Sequence, residues 1–486
     1  MHRVRWFLWC LWLLFPAAIT AQSPAGSNRV AACVDSLTHD ETFRHASMSI
    51  LVIDAGTREV IASHHPQAAL IPASTLKLVT TGLSLLSLGS DYRFRTALYY
   101  DGTINDSTLT GNLYIVGGGD PTFGSPDSIA TPVSEIFSDW TARLKARGIN
   151  RVAGNIIADE SFFNPSPTPE SWMWGDIGNA YGARTSGLAF CENAYTLVLT
   201  PGKNEGDSAV IRSRNPDIPG IEFMNDIKTG APHSGNQAVI YSAPYSNKQW
   251  LTGSIPINRD STEVKGANSI PAYTCIYCFG EFLTRQGIRF DGTLRVASAA
   301  EAISTPRTLI AEYLSPTLKE IASATNKISN NLFAETLLRT VGLQLKKDAS
   351  YDSSLTAVRY LLDSLQVPAS GFKMVDGSGL SRKNYVSAQF MVDYLMMMYH
   401  SASYEDFFHT LAVPGDRGTF SNLLRSAPNK RRLHAKSGSM EGVRCYAGYV
   451  DNPGGTIIFA VLVNNFNYKI SAIQPKIEQL LQRITE

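Results

Sequence analysis

Ala73-Ser74-Thr75-Leu76-Lys77 opens a predicted helix. Its apolar positions are Leu76, Val79, Leu83 and Leu86, and Gly89 closes it. Residues three apart share a helix face, so the Ser74 hydroxyl and the Lys77 amine can meet. A serine hydroxyl is a weak nucleophile unless a base takes its proton. A lysine is that base only when burial or a nearby cation lowers its pKa. An isolated S-x-x-K pattern usually marks a solvated helix face, so its meaning depends on what else the chain brings.

Two further stretches stand in order behind it. Ser329-Asn330-Asn331 starts a predicted helix whose next residues are apolar, Leu332 and Phe333. Alone it is an N-cap; with a partner, its hydroxyl relays a proton and its amide holds a peptide carbonyl. Lys436-Ser437-Gly438-Ser439 lies on a predicted strand before a turn. There a lysine, a hydroxyl and a glycine offer a cation for a carboxylate and a close backbone approach.

Working outward, residues 47–54 and 59–64 read as a hairpin around Ala55-Gly56-Thr57. Residues 433–439, 443–450 and 457–464 read as strands, and 470–483 as a final helix. Pairing the two ends of the chain gives an antiparallel five-stranded sheet with helices on its faces, an α+β fold. Helical periodicity also covers 309–326, 330–345, 353–365 and 388–399. Between 94 and 304 short strands dominate, such as 94–100, 108–116 and 154–159, with one helix at 271–286. The stretch 200–256 is polar and turn-rich. The expected division is a leader at 1–21, a sheet-and-helix domain from 29–93 and 305–486, an inserted domain from 94–199 and 257–304, and a small β subdomain at 200–256.

The 486 residues suggest two or three domains at about 150 residues each. With 44% hydrophobic and 17% charged residues the chain is not intrinsically disordered. A net charge of +1 argues against a nucleic-acid partner, which needs a basic surface. A basic start (Arg3, Arg5), an apolar run from Trp6 to Phe15 and small residues up to Ala21 have the layout of a cleavable secretory signal. No second long apolar run follows, so stable membrane insertion is not expected. Five cysteines then remain: Cys33, Cys191, Cys275, Cys278 and Cys445. An odd, scattered set is no disulfide framework. Cys275 and Cys278 have no matching ligand pair for zinc, leaving a local disulfide or plain buried thiols. There is no H-x-x-x-H spacing for a zinc hydrolase and no G-x-S-x-G elbow. His434, two residues before Lys436, reads as a solvated strand histidine.

The trio SxxK, SxN and KSG, each in its expected element, resembles the penicillin-interacting serine peptidases and their β-lactamase relatives. The 252 positions from Lys77 to Ser329 narrow the likeness to type-4 penicillin-binding proteins, D-alanyl-D-alanine carboxypeptidases and endopeptidases that carry a large insertion there. Val116 to Thr122, Asp376 to Arg382, and the segment from Ala435 to Val450 add to it. The family often has Asp at the position of Asn330, and Thr at that of Ser437. The resemblance implies a β-lactamase/transpeptidase-like domain and a periplasmic hydrolase of peptidoglycan stem peptides, inhibited by β-lactams, with no metal or organic cofactor. It implies Ser74 as nucleophile, Lys77 as base, Ser329 as proton relay, Asn331 on the substrate amide, and Lys436 with Ser437 and Gly438 on a terminal carboxylate. The backbone N–H groups of Ser74 and Ser439 form the oxyanion hole. By the same resemblance Asp176, after Trp172-Met173-Trp174-Gly175, binds the free amino group of a diaminopimelate side chain, with Tyr181 lining the pocket and Arg382 nearby. The bland alternative there is a surface turn over two buried tryptophans.

Two competitors remain on the sequence. A β-lactamase of class A uses a glutamate-held water for deacylation; no Glu occurs between Glu335 and Glu405, so acylation by penicillin is expected to be long-lived. A non-catalytic wall-binding or antibiotic-sensing module has no need of Ser74, Lys77, Ser329, Asn331 and Lys436 together.

Overall fold

The structure is a computed structural model. It describes residues 25–163, 168–244, 246–298, 301 and 306–486. The proposed leader lies outside them.

Strands from the two ends of the chain form one antiparallel five-stranded sheet, in the order Val60–His64, Ser47–Asp54, Gly455–Asn464, Val443–Asn452, Leu433–Met440. Alternation decides which face each residue serves. On the central strands Leu51, Ile53, Ile458, Ala460 and Leu462 face one core. Ile50, Val52, Phe459, Val461 and Val463 face the other. Both faces are apolar, so both are covered. The first is packed by helices Lys77–Leu88, Leu318–Ile328, Asn331–Lys346, Tyr351–Ser364 and Ala388–Tyr399. The second is packed by Ala25–Thr38 and Ile470–Thr485, whose Val30, Val34, Ile473, Ile477 and Leu481 are buried together. This is the α+β architecture expected from the sequence, and the final helix packs on the sheet.

The long segment between Lys77 and Ser329 builds two further cores. One lies between the sheet containing Arg95–Tyr100, Leu113–Val116 and Ile156–Asp159 and the helices Val133–Ala146 and Pro271–Arg285. The other is a small β core around Tyr195, Leu197, Ile240 and Leu251. Pairing joins Ala194–Thr200 to both Val210–Asn215 and Thr262–Ala267.

Three elements differ from expectation. Residues 309–314 are not helical: Thr308–Leu314 is a strand paired with Arg95–Tyr100, and the helix starts only at Leu318. Pro316 disfavours helix at the residue before it, and Thr317 with Glu320 forms a capping box that sets the true start. The helix Val133–Ala146 lies within a block read as strands; it follows Pro132, with no side-chain cap to announce it. Residues 108–116 are two strands, Thr108–Thr110 and Leu113–Val116, broken at Gly111-Asn112. The five cysteines among the described residues are free thiols, and Cys275 is fully buried.

Candidate active site

Ser74 sits in a tight helical turn, Ala73–Leu76, that continues into the helix Lys77–Leu88. Ala73 enters that turn with φ +46°, a left-handed conformation that an L-residue adopts only when its surroundings impose it. Lys77 is fully buried one turn on. Its Nζ lies 2.8 Å from Ser74 Oγ, 2.7 Å from Asn331 Oδ1 and 2.7 Å from the Ser378 carbonyl oxygen. The last two are carbonyl oxygens and only accept. A neutral Lys77 spends its two N–H donors on them, and its lone pair then faces the Ser74 hydroxyl. Burial pulls the Lys77 pKa down to about 7, against the opposing pull of the Glu335 and Asp376 carboxylates. The arrangement can therefore remove the serine proton near neutral pH.

Ser329 and Asn331 arrive from the junction of two helices. Ser329 ends Leu318–Ile328 in a left-handed conformation, φ +64°. The cap of the next helix, Asn331–Lys346, is Asn330, whose Oδ1 accepts from Phe333 N at 3.2 Å. The expectation that Ser329 belongs to that helix start is thereby corrected: Asn330 caps, which leaves the Ser329 hydroxyl to Lys436, 2.9 Å away. Lys436 is buried on the edge strand Leu433–Met440, and its Nζ also donates to the Ser437 carbonyl at 2.9 Å. Burial and then the neighbouring Lys77 push its pKa well below the ordinary lysine range. The two amines thus oppose each other's charge across the site.

Gly438 allows this closeness. A Cβ there would stand 2.4 Å from the Pro72 carbonyl oxygen and 3.1 Å from Ser74 N. Ala435 N–H and C=O bond outward to Ala412, on the side away from the sheet. Strand alternation therefore turns the N–H groups of Ser437 and Ser439 to that same open edge. Ser439 itself is exposed.

Two carboxylates to which the sequence assigned no role, Glu335 and Asp376, hold the floor of the site. Glu335 is fully buried, with Oε2 accepting from Gly377 N at 3.0 Å and Oε1 from Ser378 N at 2.7 Å. Burial and the nearby Asp376 raise its pKa to about 7. Both its oxygens are committed to the loop whose Ser378 carbonyl holds Lys77, so it is a clamp on that loop. Asp376 ties the same loop, accepting from Gly379 N, Ser381 N, Asn384 Nδ2 and, at 2.8 Å, Trp172 Nε1.

The inserted segment reaches the site through Tyr181. Its carbonyl accepts from Asn331 Nδ2 at 2.8 Å, and its hydroxyl donates to Asp176 Oδ1 at 3.2 Å. Burial, then Asp176, raises the Tyr181 pKa to about 12, so the hydroxyl stays protonated. Asp176 lies on the short helix Trp174–Ile177. Of the two tryptophans before it only Trp172 is buried; Trp174 is 59% exposed. Arg382 is elsewhere on the rim, its Nη2 3.7 Å from Glu441, two residues past Ser439. His434 is not the solvated residue expected: it is half-buried and stacked on Phe408 at 4.0 Å, and burial lowers its pKa to about 4. Among the described residues no cluster of His, Cys, Asp and Glu is arranged to hold a metal ion.

Comparison with known proteins places the chain in one family. The D-alanyl-D-alanine carboxypeptidase of Actinomadura sp. (strain R39) is 29% identical, over 93% of this chain and 85% of that one. D-alanyl-D-alanine carboxypeptidase DacB of Haemophilus influenzae is 25% identical, over 87% of this chain and 86% of that one. The crystal structure of penicillin binding protein 4 (dacB) from Haemophilus influenzae shares the fold, with a TM-score of 0.78 at 23% identity over 93% of this chain and 99% of that one. A profile described as the D-Ala-D-Ala carboxypeptidase 3 (S13) family matches residues 30–484, nearly the whole chain, and the protein belongs to that family.

Proposed function

We propose that Ser74 is the nucleophile and Lys77 the general base of a serine-type D-Ala-D-Ala carboxypeptidase that acts on peptidoglycan stem peptides. The carboxypeptidase activity follows from the family. The observation that carries the residue assignment is the Lys77 amine held between two fixed carbonyl oxygens, with its lone pair left for Ser74.

The Ser74 proton passes to Lys77 as Oγ attacks the carbonyl carbon of the penultimate D-Ala. The resulting oxyanion lies between the backbone N–H groups of Ser74 and Ser439, an interaction contributing about 3–4 kcal/mol in comparable sites. Ser329 accepts a hydrogen bond from Lys436, so its own proton goes to the leaving amine; the proton that Lys77 took from Ser74 then replaces it on the Ser329 oxygen, and Lys77 is neutral again. The C–N bond breaks, D-Ala departs, and an acyl-enzyme remains on Ser74. Water activated by Lys77 then attacks the ester carbonyl and releases the shortened peptide. Lys436, Ser437 and Gly438 receive the terminal carboxylate. The second amide hydrogen of Asn331 holds the substrate carbonyl.

Asp176 with Tyr181 receives the amino group of the stem-peptide side chain, and Arg382 closes the rim. Endopeptidase cleavage of cross-links and inhibition by β-lactams extend the same acyl-enzyme chemistry; a β-lactam complex is known for the Haemophilus influenzae relative. Both Glu335 oxygens accept from backbone N–H groups, so we read Glu335 as a clamp on the loop of Ser378, and the acyl-enzyme formed with penicillin as long-lived. The work is placed in the periplasm, after removal of the leader at 1–21; the domain division is the one given above except at two edges, since Thr308–Leu314 pairs with Arg95–Tyr100 of the inserted sheet and the small β core also takes in Ala194–Thr200 and Thr262–Ala267. Among the described residues no helix is long and apolar enough to cross a membrane.

The test is incubation with defined linear and cross-linked muropeptides beside labelling by a fluorescent penicillin. Release of D-Ala and stable labelling, both lost in Ser74→Ala, are the expected results. Binding without cleavage by the unmodified protein would leave only a wall-binding module.

A further inference from the structure

An exposed row of rings leads away from Asp176 onto the small β core. Met224, Trp250 and Tyr241 are direct cross-strand neighbours on the sheet of Glu222–Asn225, Lys248–Thr252 and Val239–Tyr241. Their neighbours Ile240 and Leu251 point to the core and are fully buried, so alternation turns the row outward. Trp174 extends it: its ring centroid lies 4.6 Å from that of Tyr241, which lies 5.9 Å from that of Trp250. Trp174 is 59% and Trp250 40% exposed. A contiguous exposed patch of such rings marks a ligand or partner site, where a single exposed ring would not.

We propose that this row is a carbohydrate subsite, which stacks the glycan part of a peptidoglycan substrate while its stem peptide lies at Ser74. The inference rests on the peptidoglycan reading above and adds a second contact to it. Four features favour a sugar. The indole N–H groups are already engaged, Trp174 with the Ser242 carbonyl and Trp250 with Asp226. The rings are therefore fixed and offer their faces, which suit the C–H face of a hexose. The rings touch one another in turn, at tilts of 45° and 39°, so they form one continuous aromatic strip along which a glycan chain can run. The row is one residue wide, bordered by polar groups such as Glu222, Lys248 and Asp226. That suits a linear polymer better than a protein partner, which needs roughly 800 Å² on each side.

The row is also continuous with the candidate active site. Trp174 shares a four-residue helix with Asp176, which accepts from Tyr181, whose carbonyl holds Asn331 beside Lys77. Asn179 stitches that segment to the sheet through the Ile240 backbone, accepting from its N–H at 3.3 Å.

The experiment compares one stem peptide with and without its N-acetylated disaccharide, using Trp250→Ala and Tyr241→Ala. Trp250 is exposed and Tyr241 partly so, and both lie outside the catalytic machinery. For the sugar-bearing peptide kcat/KM is expected to fall about tenfold, mainly through KM. Cleavage of the sugar-free peptide and the rate of labelling by fluorescent penicillin stay at the level of the unmodified protein. Oligomers of N-acetylglucosamine should quench tryptophan fluorescence, and less so in Trp250→Ala. An equal loss on both peptides, no loss on either, or a change only in self-association by sedimentation would overturn the subsite. If the unmodified protein cleaves neither peptide, the peptidase reading itself is overturned, a result distinct from the others.

Discussion

Asn330 donates its side-chain amide to Glu192 at 2.9 Å, across 138 positions of sequence. The other Glu192 oxygen accepts from Ser125 Oγ at 2.6 Å. Glu192 stands in a run of three left-handed residues, with φ +51°, +58° and +49° at Cys191, Glu192 and Asn193. Such a run persists only where its surroundings hold it. Here Cys191 N bonds to the Phe123 carbonyl, and the Asn193 side chain bonds to Phe190 N and the Arg184 carbonyl. The inserted segment thus presents a carboxylate to the turn that carries Ser329, and Asn330 is the residue that receives it.

This makes Asn330 the partner Glu192 requires. Asp caps a helix as well as Asn does, so Asn330→Asp keeps the Phe333 bond and changes only the face toward Glu192. Two facing carboxylates then replace a hydrogen bond, a change of about 2 kcal/mol. Labelling by fluorescent penicillin should slow at least about tenfold in Asn330→Asp. It should recover in Glu192→Gln/Asn330→Asp, where the new amide donates to the new carboxylate. Unaltered labelling in the single variant, or no recovery in the double, would show that Glu192 does not position Ser329.

How much of this was legible follows from what a side chain can announce. The central sheet was plain because its strands alternate between two apolar cores, as Leu51 and Val52 do. Ser74 and Lys77 were plain because three residues make one helix face. The Ser378 carbonyl was hidden, since a backbone oxygen looks the same at every residue. Glu192 was hidden because its partner lies in another domain-sized segment. Glu335 did leave a signal. It lies three residues from both Leu332 and Leu338, a carboxylate on an otherwise apolar stripe. Such a residue is buried with partners or it is not buried at all.

Lys77, as the proposed base, is expected to set the pH dependence. Its pKa is lowered to about 7 by burial, so it is charged below that pH and free to accept a proton above it. Acylation should climb with pH and level off above about 7 to 8, falling about tenfold per unit on the acid side. Lys77→Arg, which cannot release its proton, should abolish acylation at every pH. A profile that is flat down to about pH 5, or an active arginine variant, would remove Lys77 from the role of base.

Gly438→Ala tests how tightly the edge strand is set against the nucleophile. The added methyl would press on a backbone carbonyl, that of Pro72, and on Ser74 N. Neither can yield without moving Ser74 relative to Lys77 and Ser439. A displacement of that kind costs about a hundredfold in rate. The variant should melt within a few degrees of the unmodified protein yet label with penicillin at least about a hundredfold more slowly. Full activity would mean that the strand can shift away without cost.

Asp120 offers a separate test, on stability. It is 1% exposed. Its Oδ1 accepts from Thr122 N and Thr122 Oγ1, while Oδ2 has no partner among the described residues. Burial raises its pKa from 3.8 to about 6. The folded state therefore binds the proton more tightly than the unfolded chain does. Its stabilising effect is fully present below 3.8 and is lost as pH rises through about 6. Above that, a buried charge with one unpaired oxygen opposes folding. An asparagine side chain is neutral at every pH and keeps the acceptor for Thr122, so Asp120→Asn should stabilise the protein by about 1–2 kcal/mol at pH 7.5, seen as a higher melting temperature. The gain should shrink to nothing near pH 4. Penicillin labelling should not change. A variant that is less stable at neutral pH, or whose gain is the same at both pH values, would mean that the Asp120 carboxylate finds a partner in solution.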